Sequence, residues 1–254
     1  MIKRLKNITN NLYPLVLVGI ILVTWLVLSE FGIIPKFMLP SPIDVVETLI
    51  SERVILFEHL LITLQEAFLG LTMSITFAVI MAVLMDRYYR LYQMVYPIFV
   101  ISQTVPVIAI APLLVLWMGY GIAPKVFLIF LVCFFPLVIS LLDGFKSVDK
   151  DIIKLMKSMN ASDMQILRHV KFPSAMSSFF AGLKVSVAYC VVGAVIAEWL
   201  GGNSGLGVYM TRVRKSYAYD KMFAVIFVIS AISLLLMWLV KTLQKRVMPW
   251  EDSK

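Results

Sequence analysis

The chain has 254 residues, a formal net charge of +8 and a hydrophobic fraction of 61%. Only 15% of its residues are charged, too few to clothe a soluble domain of this size, and its mean hydropathy is +0.91. The basic excess comes without an aromatic-rich basic module, so it is read as the loop charge of a membrane protein, and nucleic acid is not an expected partner.

The apolar residues fall in solid runs rather than alternating ones. Crossing about 30 Å of hydrocarbon takes roughly 20 helical residues, and lipid leaves helices or closed barrels as the only spanning structures. Solid runs exclude the barrel. The predicted fold class is all-α, a polytopic membrane bundle of about six transmembrane helices forming one domain over residues 1–254.

The first run, residues 12–28, follows Lys3, Arg4 and Lys6 and lacks a small-x-small cleavage site, so a retained helix with a cytoplasmic N-terminus is expected. Leu39-Pro40-Ser41-Pro42 marks a turn and a helix start, with Ser41 as cap and Pro42 in the first turn. An amphipathic outer helix over residues 44–59 should lead into a second span, residues 60–85, ending at Asp86-Arg87. Gln65 and Glu66, near the outer end of that span, fit the bundle interior and hydrated positions equally. A third span is placed within residues 94–118, interrupted by Pro97, Pro106 and Pro112, and a fourth over residues 126–142. A polar cytoplasmic loop of about residues 143–175 follows, then spans at residues 176–198 and 222–240 and a basic tail. The inner segments of this topology hold more Lys and Arg than the outer ones, which puts both termini in the cytoplasm. The cluster at residues 212–221 runs against that rule.

The long loop reads as helix, tight corner, helix. Asp149 and Asp151 open one helix, Lys154 and Lys157 close it, and Asn160 stops it in a left-handed conformation. Ser162 and Gln165 form a capping box for a second helix, expected to end before Pro173. A solvated connector with no further role is the plain alternative.

This stretch resembles the cytoplasmic motif of binding-protein-dependent ABC importer permeases, E-A-A-x-x-x-G-A-S followed by a hydrophobic residue and proline. The matching residues run Lys154-Leu155-Met156-Lys157-Ser158-Met159-Asn160-Ala161-Ser162 and continue to Phe172-Pro173. Lys154 stands in place of the acid, Leu155 and Met156 in place of the alanines, and Asn160 in place of the glycine; Asn tolerates the same left-handed corner. Leu39-Pro40-Ser41-Pro42 and Ile196-Ala197-Glu198-Trp199-Leu200-Gly201-Gly202-Asn203-Ser204-Gly205-Leu206-Gly207 look like landmarks of the family's sulfonate, nitrate and pyrimidine branch. Met85-Asp86-Arg87, Ser102-Gln103-Thr104-Val105-Pro106 and Lys215-Ser216-Tyr217-Ala218 look most like permeases for the hydroxymethylpyrimidine precursor of thiamine, with riboflavin permeases close behind.

The resemblance implies a type I importer permease fold, with the helix pair docking on an ATPase through Lys157, Ser158, Asn160, Ala161, Ser162, Asp163 and Gln165. It also implies a second permease copy, an extracytoplasmic solute-binding protein and a bacterial inner membrane location. Independently, no G-x-x-x-x-G-K-[ST] loop occurs, so ATP and Mg belong on a partner and no cofactor on this chain.

Polar residues inside spans usually face a bundle interior or a water-filled path. Gln103 and Thr104, mid-span beside Pro106, are therefore candidate path residues. Gly182, Ser186, Cys190, Ala194 and Glu198 recur every four residues in the fifth span; packing is the ordinary reading of such a stripe, and a path lining the other. Glu198 at its end is a candidate gate or an interfacial solvated acid.

An intramembrane serine protease of the rhomboid type is the rival, because Gly202-Asn203-Ser204-Gly205 fits G-x-S-G. That chemistry needs a histidine base beside the serine. His59 and His169 are the only two, one at a span edge and one in the loop, so neither is expected near Ser204. Cys133 and Cys190 lie in apolar runs and read as packing residues, which leaves no metal site and no catalytic residue.

Overall fold

A computed structural model describes residues 2–250, and the described chain is helical with no strand. Lys254, one of the basic tail residues counted for the orientation, lies outside the described residues, as do the side chains of Lys3, Arg4 and Lys6. In chain order the helices are α1 (Ile2–Glu30), α2 (Pro42–Ser51), α3 (Arg53–Arg87), α4 (Tyr89–Ser102), α5 (Val107–Met118), α6 (Ile122–Lys146), α7 (Lys150–Ser158), α8 (Asp163–Ile166), α9 (Phe172–Gly201), α10 (Leu206–Lys215) and α11 (Tyr219–Val247).

Among the described residues, four helical runs are long and apolar enough to cross a membrane: Arg53–Arg87, Ile122–Lys146, Asp163–Gly201 and Tyr219–Val247. The bent pair α4–α5 makes a fifth if counted as one span. The sequence-based count of six is reached only by adding α1, which includes the shorter apolar helix Val16–Glu30 among the described residues.

Two expectations are corrected. The third span is interrupted as expected, but it begins at Tyr89 and breaks at one place, where its two helices meet at 102°. Pro97 and Pro112 sit inside helices, whereas the chain breaks at residues 103–106. There Pro106 has no N–H to donate and disfavours helical geometry at Val105, so one proline of the three ends the helix. Nor does the loop's second helix stop before Pro173. A π turn over Leu167–Lys171, with the Phe172 N–H donating to Leu167 O, joins α8 to α9. Pro173 thereby falls in the first turn of a restarted helix, where its missing donor is not needed.

The chain divides into two compact units. The first comprises the residues up to Glu58 together with Tyr209–Val228. Ser41 and Asp44 close the foreseen capping box on α2, at 3.2 and 2.9 Å. Trp25 donates its indole N–H to Pro40 O at 2.9 Å and stacks on Phe227, tying α1 to the turn that follows it. Thr48 donates to Asp220 at 3.0 Å, and Lys221 bonds Glu52, so α2 and the start of α11 are joined by polar contacts.

The second unit, His59–Val208 with the residues from Ile229 onward, is built on α6 against α9. The predicted stripe on α9 is its packed face: Gly182, Ser186, Cys190, Ala194 and Glu198 are all buried. A Cβ on Gly182 would stand 2.6 Å from the Ser140 hydroxyl, so only glycine permits this approach. Ser186 donates to Cys133 O at 3.0 Å, and the Cys133 thiol donates to Ser186 O at 3.3 Å. Such interhelical bonds contribute about 0.6 kcal/mol each in a membrane. Phe99, Phe130, Phe134 and Phe135 fill the neighbouring core with edge and tilted contacts.

Candidate coupling corner and membrane path

The corner between α7 and α8 is set by local chemistry. The Asp149 carboxylate accepts from Asp151 N at 2.8 Å and caps α7. At the other end Asn160 has φ 59°, and Ala161 N reaches back to Met156 O at 3.0 Å. That is a Schellman-type stop with Asn where glycine is usual. Ser162 accepts from Gln165 N at 3.3 Å while Gln165 Oε1 accepts from Ser162 N at 2.8 Å, the reciprocal box that starts α8. Lys157, Ser158, Asn160, Ser162, Asp163 and Gln165 are exposed, and Ala161 is half-buried. Ile152, Leu155 and Met159, one face of α7, are 46, 62 and 71% exposed, and Met164 is 60% exposed. Four apolar side chains thus stand exposed on an otherwise polar corner.

The corner is fastened to the end of α3. Lys171 donates to both oxygens of Asp86 at 2.6 and 2.8 Å, and Arg87 lies 3.7 Å from Asp163. A cavity of about 200 Å³ opens between these segments, lined by Val83, Asp86, Arg87, Lys157, Asp163 and Lys171 among others. Ile166, 3% exposed, seats α8 in the core.

A buried polar cluster closes the other end of the unit. Glu198 is 1% exposed, which corrects the reading of it as a solvated interfacial acid. It accepts from Thr63 Oγ1 at 2.7 Å and from Gly207 N at 2.5 Å. Thr63 Oγ1 in turn accepts from Leu206 N at 2.9 Å, and His59 Nδ1 from Gly205 N at 2.9 Å. Three backbone donors at the start of α10 are thus satisfied by side chains of α3 and α9. Gly205 is required there: its φ is +120°, and a Cβ would lie 2.2 Å from the Glu198 carboxyl.

Glu66 and Lys125 form a buried ion pair at 2.6 Å, which corrects the hydrated reading of Glu66. Among the described residues Glu66 Oε2 has no hydrogen-bond partner. Sequence reasoning missed this pair; its only signal was opposite charges near the same ends of two spans. His59 is also corrected, because the fold brings it beside the residue following Ser204. Its Nδ1 is occupied by a backbone N–H rather than held ready as a base.

Gln103 and Thr104 are exposed at the α4–α5 break, and Thr104 Oγ1 donates to Ile101 O at 2.7 Å. The structure does not bring them together with Glu198 in any described contact. A further residue escaped the sequence reading altogether: Lys184, half-buried in the middle of α9. Among the described residues no group of His, Cys, Asp and Glu is arranged to hold a metal.

Residues 74–249 match the family described as binding-protein-dependent transport system inner membrane component. A probable ABC transporter permease of Haemophilus influenzae is 37% identical over 89% of this chain and 92% of its own length. The formylaminopyrimidine transport permease ThiX of Halalkalibacterium halodurans is 35% identical over 98% of this chain and 100% of its own. The riboflavin permease RibX of Chloroflexus aurantiacus is 30% identical, covering 98% of this chain and 96% of its own. Among solved structures, an inward-facing MetNI methionine ABC transporter chain superposes with a TM-score of 0.66 at 17% identity, covering 78% of this chain and 97% of that one. With residues 74–249 matched to the family and full-length relatives above 30% identity, the chain belongs to the binding-protein-dependent transport system inner membrane components, as the permease subunit of an ABC importer.

Proposed function

We propose that this permease imports a small aminopyrimidine of the thiamine-precursor type and is driven by an ATPase docked on the α7–α8 corner. The observation that carries the coupling half is the corner itself: a left-handed Asn160, a closed Ser162–Gln165 box and four exposed apolar side chains on one rigid turn. Lys157, Ser158, Asn160, Ala161, Ser162, Asp163 and Gln165 form the docking edge. ATP and Mg are bound by the partner, and this chain supplies conformational work alone. The helical run Asp163–Gly201 carries displacement of the corner into the membrane, and the Asp86–Lys171 contact takes α3 with it.

Two copies of the chain surround the path, and an extracytoplasmic binding protein delivers solute to them. The chain sits in the bacterial inner membrane with both termini in the cytoplasm. The break at Gln103 and Thr104 belongs on the path, because irregular backbone at membrane depth is tolerated where it lines a cavity or is buried in protein. Glu198 acts as a gate support, holding the α9–α10 connection closed through Thr63 and Gly207.

The pyrimidine reading rests on the full-length likeness to ThiX. A sulfonate, nitrate or riboflavin solute is the other outcome of the same test. That test is uptake of radiolabelled formylaminopyrimidine, taurine, nitrate and riboflavin by the complex purified with its own ATPase and binding protein. Aminopyrimidine uptake with no response to the other three is expected. Co-purification of an ATPase, lost when Ala161 and Ser162 are both changed to Glu, is the expected sign of docking; unchanged recovery from that variant would remove the corner from the interface.

A further inference from the structure

The apolar segments of this protein are nearly free of charge. Residues 67–85 of α3, 91–118 across α4 and α5, 126–142 of α6 and 222–240 of α11 contain no Asp, Glu, Lys or Arg. Residues 172–197 of α9 contain one, Lys184. Two charged levels bracket it: Lys171 with Asp86 at one end of the unit, and Glu198 with Glu66 and Lys125 at the other. Lys184 stands 13 residues from Lys171 and 14 from Glu198 on its own helix, about 20 Å from either at 1.5 Å per residue. The lysine stem reaches only about 6 Å, so the ammonium does not snorkel to either level.

Lys184 sits where the packed face of α9 meets its open face. Leu183 and Ser186 are buried beside it, whereas Val185, Tyr189 and Val192 are 45, 52 and 45% exposed. Among the described residues it has no ion pair and no hydrogen bond. An ammonium at this depth faces protein, water or a ligand rather than lipid. A second identical copy has no carboxylate to offer there, because its apolar segments are equally devoid of acids. Water and whatever passes through it remain.

We propose that Lys184 lines the translocation path and binds acceptor oxygens of the solute, a carbonyl or an anionic oxygen, as it crosses. The inference rests on the importer reading and gives that path a residue that the sequence motifs did not name. A point charge with three donors on a flexible stem suits transient contact with an oxygen more than a fixed fork does. The open face of α9 is accordingly the wet face, and Gly182, Ser186 and Cys190 the dry one.

The test uses the assembled transporter in proteoliposomes, with a membrane-impermeant cationic methanethiosulfonate as the probe. Lys184→Cys should be labelled in at least one of the nucleotide-free and ATP-vanadate states, while the wild-type chain, whose two thiols are buried, is not. Lys184→Met should lower formylaminopyrimidine uptake at least tenfold while the ATPase still co-purifies at the wild-type level, and Lys184→Arg should restore most of the uptake. Absence of labelling in both states, or wild-type uptake by Lys184→Met, would overturn the proposal. Failure of the wild-type complex to take up formylaminopyrimidine would instead sink the solute assignment, and the labelling would still decide Lys184.

Discussion

Lys171, in the π turn that joins α8 to α9, grips both carboxylate oxygens of Asp86 at the end of α3, at 2.6 and 2.8 Å. Each side chain is only 19% exposed, so the contact is firmer than an ordinary surface pair. Lys171→Met leaves a half-buried carboxylate without its donor and is expected to cost about 2 kcal/mol. The larger effect should be functional: uptake per ATP hydrolysed falls while the ATPase still co-purifies. Exchanging the charges in the double variant Asp86→Lys, Lys171→Asp should recover part of the coupling. Equal loss of docking and uptake would place the pair in assembly rather than transmission.

Asn160 offers a cleaner test of the corner. Its φ of 59° is open to glycine and tolerable for asparagine, and it costs a β-branched residue about 1–2 kcal/mol. Asn160→Gly should therefore retain ATPase recovery at the wild-type level or above. Asn160→Val should lose it with little change in the melting temperature of the membrane-embedded unit. Retention by the valine variant would mean that the corner is shaped by the partner instead.

The corner was legible in the sequence because its signals are local. Asp149, Asn160, Ser162 and Gln165 each act within a few residues, and each takes the role that its chemistry suggests. Proline was a poorer guide. Three prolines in one apolar stretch look alike in sequence, yet Pro106 alone breaks the helix, and Pro173 is absorbed by a π turn that no local signal announces. The Glu66–Lys125 pair was out of reach because its partners are 59 residues apart. Lys184 was overlooked for a different reason: assigning basic residues to loops leaves no place for one in a span.

The α2 capping box has a pH signature of its own. The Ser41 backbone N–H, helped by the Ser41 hydroxyl, holds the Asp44 carboxyl below the usual carboxylate range. A depressed folded-state value means that the stabilisation is fully present above the unfolded value, about pH 4, and is lost as the pH falls through the folded one. Amide exchange in α2 should accelerate across that acidic window beyond its intrinsic pH dependence. Asp44→Asn should exchange faster at neutral pH and show no such step; a step that persisted would belong to another group.

Gly205 and Glu198 are fitted to one another. A methyl group on Gly205 would sit 2.2 Å from the carboxyl that holds Thr63 and Gly207, in a conformation unfavourable to any side chain. Gly205→Ala should therefore lower the yield of monodisperse protein in detergent sharply, and Glu198→Ala, which leaves the Gly207 N–H without its acceptor and Thr63 Oγ1 with only His59 O at 3.2 Å, should cost about 1–3 kcal/mol. Glu198→Gln keeps one acceptor and should fall between wild type and alanine. If the gate-support reading holds, Glu198→Gln should also raise basal ATP hydrolysis in the absence of binding protein.

The Glu66–Lys125 pair is the severest test of how this unit tolerates charge in its interior. Its partners are 4 and 8% exposed, and Glu66 Oε2 has no hydrogen-bond partner among the described residues. Removing one member of such a pair typically costs 3–5 kcal/mol, because the remaining charge keeps its desolvation penalty and loses its compensation. Lys125→Met alone and Glu66→Leu alone should each fail to give folded protein at 37 °C. The double variant Glu66→Leu, Lys125→Met removes both penalties together and is expected to melt within a few degrees of wild type. The outcome turns on non-additivity: if the two losses simply summed, the two side chains would not be coupled and the ion pair would explain neither loss. Recovery in the double variant with uptake still impaired would assign the pair to conformational cycling at the Gly202 end of α9, where a Cβ added to Gly202 would stand 3.2 Å from Lys125 Nζ.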